Sequence, residues 1–133
     1  MPCLNIKMRP LIIEATADTP MVYFDKYIGR FEINGASLPA NIFEFYNPLI
    51  NWIKDYCKNP NKETELELKF DYLNSSSAKM ILNLISSLEV ITRNGGTVTV
   101  IWYYDSGDVE MKEMGEEFAS NCNLTFSIIG NQE

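Results

Sequence analysis

The 133-residue sequence contains no histidine. Without imidazole there is no Ser-His-Asp triad, no Cys-His pair, no histidine general base and no histidine-bearing zinc site. Cysteine is scarce as well. Cys3, Cys57 and Cys122 show no Cys-x-x-Cys spacing, and three thiols cannot close a disulfide framework. Free thiols of this kind suit a reducing compartment. Positive charge is also short: 11 lysines and arginines face 18 aspartates and glutamates, for a net charge of −7. Nucleic acid and anionic membranes are bound through a basic footprint, so neither is an expected partner. No apolar run approaches the ~18 residues of a membrane span, and Met1 to Pro10 lacks the apolar stretch of a signal peptide. The expectation is an acidic, soluble, cytoplasmic protein.

What is present reads as one globular domain over residues 1–133, without repeats, low-complexity tracts or a linker. Short strands are expected at Pro10 to Ala15, Met21 to Phe24 and Arg30 to Ile33, with Asn34-Gly35 as a turn. A helix follows, capped by Ser37 with Pro39 in its first turn. Its stripe is Ile42, Phe45, Leu49, Ile53 and Tyr56, and Pro48 should kink or restart it. Leu66, Leu68 and Phe70 alternate with Glu65, Glu67 and Lys69, so this strand has one face in the core and one in water. Ser75 to Arg93 reads as a helix stopped by Asn94-Gly95-Gly96, Thr97 to Tyr103 as a strand, Asp105 to Ser120 as a helix and Thr125 to Ile129 as a last strand.

Strands alternating with helices imply parallel pairing through right-handed crossovers. A doubly wound sheet would show unbroken Val/Ile runs, which this chain lacks. The fold class is α/β: a mixed sheet with an N-terminal antiparallel portion and helices mainly on one face.

In such sheets functional residues gather beyond the carboxyl ends of the parallel strands. Asp71-Tyr72-Leu73-Asn74-Ser75-Ser76-Ser77-Ala78-Lys79 lies there, where a strand hands over to a helix. One reading is helix capping by Asn74, Ser75 or Ser76. The other is an anion or phosphoryl position, which free N–H groups and the helix dipole both favour. The segment from Asp105 to Glu117 holds six acidic residues against Lys112 alone. This is a solvated face or a docking surface for a basic partner, and it lacks the ligand ladder of a calcium loop. Cys57 sits on an apolar helix without an activating base and reads as a buried thiol; Trp52 and Trp102 read as core. No P-loop, metal set or catalytic pair emerges from the spacing.

Over nearly its whole length the chain resembles the SiaC family of bacterial regulatory phosphoproteins, which are similar in fold to anti-sigma-factor antagonists of the STAS type. The likeness runs through Thr19-Pro20, Phe24-Asp25, Gly35-Ala36-Ser37-Leu38-Pro39-Ala40-Asn41, Trp52 and Trp102-Tyr103-Tyr104. Its most specific element is Tyr72-Leu73-Asn74-Ser75-Ser76-Ser77. Where the family motif carries its threonine phosphoacceptor this chain carries Ser75, and where the family has Pro-Glu-Asn it has Pro39-Ala40-Asn41. The resemblance implies a non-catalytic partner switch without a cofactor. A dedicated kinase modifies Ser75, a type-2C-like phosphatase reverses this, and the unmodified form binds and regulates a diguanylate cyclase. The implied partner surface is Asn74, Ser75, Ser76, Ser77 and Lys79. A small-molecule-binding or anti-sigma-antagonist-like interaction domain is the alternative. A serine hydroxyl without a nearby base is a poor nucleophile, so catalysis of the modification must come from the modifying enzyme. The absence of histidine and of a carboxylate pair placed by spacing argues against an enzyme here.

Overall fold

The computed structural model describes residues 8–131. Six strands form one sheet in sequence order: β1 (Leu11–Ile13), β2 (Met21–Asp25), β3 (Arg30–Ser37), β4 (Glu63–Leu73), β5 (Thr97–Asp105) and β6 (Thr125–Asn131). β1, β2 and β3 pair antiparallel, and β3 through β6 pair parallel. Each parallel strand is added on the same side of the last. Right-handed crossovers then deliver every connecting helix to one face. These are α1 (Ile42–Tyr56), α2 (Ser75–Ser87), the short α3 (Glu89–Arg93) and α4 (Val109–Ser120).

The burial pattern agrees with that layering. Phe31, Ile33, Leu66, Leu68, Val98, Val100 and Trp102 are buried under the helices, while the alternate positions Glu32, Glu65, Glu67 and Tyr103 face the uncovered side. The mixed sheet with helices on one face is therefore as expected. Trp102 is fully buried and donates through Nε1 to the Met111 carbonyl at 3.0 Å. Trp52 is only partly buried; it stacks on Tyr56 at 5.7 Å and donates to the Arg9 carbonyl at 2.7 Å.

Several local expectations are corrected. Asn34-Gly35 is no turn: β3 runs on to Ser37, and Gly35, at φ 134°, allows close approach to Pro20. Ser37 does not cap α1. It is buried at the end of β3, and Asn41 caps the helix by accepting from the Glu44 amide at 3.1 Å. α1 is continuous through Pro48, because Pro48 and Glu44 lie on its exposed face and the missing bond falls where water reaches. Asp105 ends β5 and pairs with Lys69 at 3.4 Å; α4 starts after Asp108, whose side chain caps it.

The expected helix from Ser75 to Arg93 divides at Leu88. Ser87 donates back to the Asn83 carbonyl, and its own carbonyl accepts from the Cys57 thiol. At the break the Leu88 and Ile91 amides donate to the carbonyls three residues back, those of Ile85 and Leu88, at 3.0 Å each. Cys3 lies outside the described residues. None of the described helices is long and apolar enough to cross a membrane.

Candidate functional site

The strand-to-helix junction is set by a bulge. Phe70 pairs with Gly35 but Tyr72 pairs with Ala36, so Asp71 is the extra residue. An unbroken alternation would bury Tyr72 and expose Leu73. The inserted residue reverses the parity: Leu73 is buried, and Asp71 and Tyr72 are both exposed. The chain then leaves the sheet at Asn74, whose amide donates to the Ser37 carbonyl at 3.1 Å.

Asn74 is the N-cap of α2. Its backbone is extended, and its side chain accepts from the Ser77 amide at 2.8 Å. This resolves the open capping question and leaves Ser75 and Ser76 free of that duty. Both are exposed in the first turn, as is Lys79 one turn on. A phosphate on Ser75 would sit beside the free N–H groups of a helix start, with Lys79 at i+4.

Ser77 belongs elsewhere. It is fully buried, so its side chain is absent from the surface expected to meet a partner. Its oxygen accepts from the Ser37 hydroxyl at 2.8 Å, and Ser37 in turn lies 2.6 Å from the Tyr46 hydroxyl. With the Ser37 proton committed to Ser77, Tyr46 is the donor to Ser37. Burial raises the Tyr46 pKa, partly opposed by its bonds to Ser37 and Ser77, so the phenol stays protonated. This chain of hydroxyls ties β3, α1 and α2 together directly beneath the exposed serines.

Two surface features near Ser75 were not singled out from the sequence. One is an open groove of about 380 Å³ between α2 and α4, lined by Leu73, Ser75, Lys79, Leu82, Met114 and Phe118. The other is a set of exposed apolar side chains: Tyr72 near the end of β4, Leu38 just after β3 and Phe43 in the first turn of α1. The bulge that exposes Tyr72 leaves no signature in residue type. Among the described residues no cluster of acidic, cysteine or histidine side chains could hold a metal ion.

Fold and junction together define a two-layer α/β domain with an exposed serine in the first turn of the helix that follows β4. The chain belongs to the SiaC family: the family model for "SiaC family regulatory phosphoprotein" matches residues 13–131. It is 32% identical over 126 residues to an uncharacterized protein of Pseudomonas aeruginosa strain UCBPP-PA14, spanning 95% of this chain and all of that one. Among solved structures it is similar to apo-SiaC from Pseudomonas aeruginosa, with a TM-score of 0.85 and 33% identity over 92% of this chain and 99% of that one. It is equally similar, at 0.85 and 31% identity, to a chain in the structure of diguanylate cyclase SiaD with its activator SiaC, covering 91% of this chain and 99% of that one.

Proposed function

We propose that this chain is the non-catalytic element of a phosphorylation-controlled partner switch. Unmodified, it binds and regulates a diguanylate cyclase through a surface built on Asn74, Ser75, Ser76 and Lys79. A dedicated kinase phosphorylates Ser75 and releases the cyclase; a type-2C-like phosphatase restores the binding form. The observation that carries this reading is the division of labour at the junction. Asn74 supplies the cap and Ser77 the buried anchor, so the exposed Ser75 hydroxyl is left with no structural task. The complex of SiaD with its activator SiaC supports the effector class.

Phosphate adds about −1.5 to −2 charge and three acceptor oxygens at one point. The helix start and Lys79 favour that charge in the free protein, so the fold need not change. An interface formed around a neutral hydroxyl gains an unpaired anion instead. That commonly costs about 3–5 kcal/mol, roughly two to four decades in affinity.

The test is calorimetric titration of a cognate cyclase with three forms. Ser75→Ala, which removes no cap, should bind within roughly tenfold of the unmodified protein, since one neutral hydrogen bond contributes only about 0.5–1.5 kcal/mol. Ser75→Asp and the phosphoprotein should lose at least about a hundredfold. Equal loss in the folded Ala and Asp forms would end the charge-switch reading. Kinase and ATP should label wild type but not Ser75→Ala; label retained on Ser76 would move the site.

A further inference from the structure

The side of the sheet turned away from the helices carries one set of groups twice. The first set is complete. Tyr23 stands opposite Glu32 across the β2–β3 pair, and the Arg30 guanidinium lies 4.0 Å from the Tyr23 ring centroid while donating to Glu32 at 2.9 Å. Asn34 adds a longer bond to the same carboxylate, at 3.4 Å. Beside it, Glu67 of β4 and Tyr103 of β5 line an open cavity of about 240 Å³ together with Glu32, Asn34 and Lys69. Tyr103 pairs with Lys69, the next residue after Glu67 on this face. The acid and the ring recur here without the cation. Among the described residues no ion pair reaches Glu67, and the Lys69 ammonium is held by Asp105 at 3.4 Å.

The second set is strongly negative. Burial first, and then the charges of Glu32 and Glu65, raise the Glu67 pKa; Arg30, already bonded to Glu32, opposes them only in part. Burial and the same carboxylates also raise the Tyr103 pKa, so the phenol stays neutral. A planar guanidinium satisfies both groups at once, because it bonds a carboxylate through paired N–H groups and stacks on an aromatic ring, as Arg30 does next door. An ammonium offers only a point charge. The cavity is smaller than the ~300–1,000 Å³ of small-molecule sites and suits a single side chain. Beyond it the charge continues along β4. Glu65 and Glu63 are exposed on the same side at steps of roughly 6.6 Å, the spacing of alternate side chains in an extended peptide. Neither has an ion pair among the described residues. The complementary occupant therefore carries several positive charges along a chain.

We propose that the uncovered face of the sheet docks a basic segment of a partner protein, with an arginine seated between Glu67 and Tyr103 and further basic side chains over Glu65 and Glu63. α2, which carries Ser75, packs on the other face, so the inference does not rest on the switch.

Calorimetric titration of the full chain with the end-capped peptide Arg-Ser-Arg-Ser-Arg, in about 50 mM salt, tests this. Saturable binding is expected, and it should weaken as salt rises and screens the exposed pairs. Glu67→Gln keeps the size of the side chain and removes its charge. It should weaken binding about ten- to hundredfold without lowering the melting temperature, which separates lost recognition from lost folding. Glu113→Gln makes the same change in net charge on an exposed position of α4, across the sheet, and should leave affinity within about twofold. Tyr103→Phe keeps the ring and should bind as wild type does, whereas Tyr103→Leu should lose about two- to fivefold. The peptide Lys-Ser-Lys-Ser-Lys should bind more weakly than its arginine counterpart. The proposal is overturned by a wild type that shows no saturable binding, by lysine and arginine peptides of equal affinity, or by equal losses in Glu67→Gln and Glu113→Gln.

Discussion

The Ser37 hydroxyl donates to the Ser77 oxygen across 2.8 Å, joining the last residue of β3 to the third residue of α2 with both side chains fully buried. A buried hydroxyl deprived of its partner loses hydration without compensation. Ser77→Ala strands the Ser37 proton, and Ser37→Ala strands the Tyr46 donor, so each should cost about 1–3 kcal/mol in urea denaturation. The double substitution should cost clearly less than the sum. Strict additivity would show that the two hydroxyls do not act as a pair.

Asn74 carries the start of α2 alone. Asn74→Ala should remove about 1 kcal/mol of stability and expose the Ser77 amide to faster hydrogen exchange, while Asn74→Asp retains an accepting oxygen and most of the stability. A Ser77 amide equally protected in Asn74→Ala would mean that another group caps this helix.

Residue pattern alone reveals much of this architecture. The alternation of Leu66, Leu68 and Phe70 with charged neighbours marks a half-buried strand, and the stripe from Ile42 to Tyr56 marks α1 with nearly its observed bounds. The same pattern misleads where tertiary contacts decide. Asn34-Gly35 has the composition of a turn, yet Gly35 is needed for close approach to Pro20 within a longer strand. Ser37 has the composition of a cap, yet Tyr46 and Ser77 draw it into the core. At the candidate site the run of serines flags the junction, but their separate duties follow from burial. Ser77 points inward because α2 leaves the sheet one residue after a buried Leu73, a parity that the bulge at Asp71 creates.

Glu32 and Glu67 stand directly opposite each other on β3 and β4. Glu32 is bonded by Arg30 at 2.9 Å, whereas no ion pair reaches Glu67 among the described residues. Partial burial, with the charges of Glu32 and Glu65 adding to it, raises the Glu67 pKa. Glu67→Gln should therefore stabilise the fold at neutral pH by about 0.2–1 kcal/mol, and the gain should shrink as acid protonates the wild-type carboxyl. A destabilised Gln variant would show that Glu67 has a favourable partner in solution.

Gly115 lets α4 lie directly on the sheet: a Cβ there would come within 2.5 Å of Trp102 Cδ1. Trp102 is fully buried and held by its bond to Met111, so it has little room to yield. Gly115→Ala gains up to about 1 kcal/mol in helix propensity but should lose about 1–3 kcal/mol to overpacking, with a net fall in melting temperature. Tryptophan fluorescence should shift as the indole is displaced. Unchanged fluorescence with a raised melting temperature would mean that α4 lifts freely from the sheet.

Cys57 provides a pH-dependent test of the helical layer. Burial pushes its thiol from 9.0 to about 11, and the thiol donates to the Ser87 carbonyl at 3.4 Å, where α2 ends. A thiol that ionises less readily in the folded state holds its proton more tightly there. Its contribution to stability is thus complete below pH 9 and is lost as pH rises from 9 towards 11. The reactive species is the thiolate, so iodoacetamide at pH 8 should modify Cys57 about a hundredfold more slowly than a model thiol, before any further loss from poor access. Unfolding in urea should restore the ordinary rate. Peptide mapping by mass spectrometry separates Cys57 from the other two cysteines. A native rate equal to that of the unfolded chain would show that this thiol is exposed, and that its contact with Ser87 does not persist in solution.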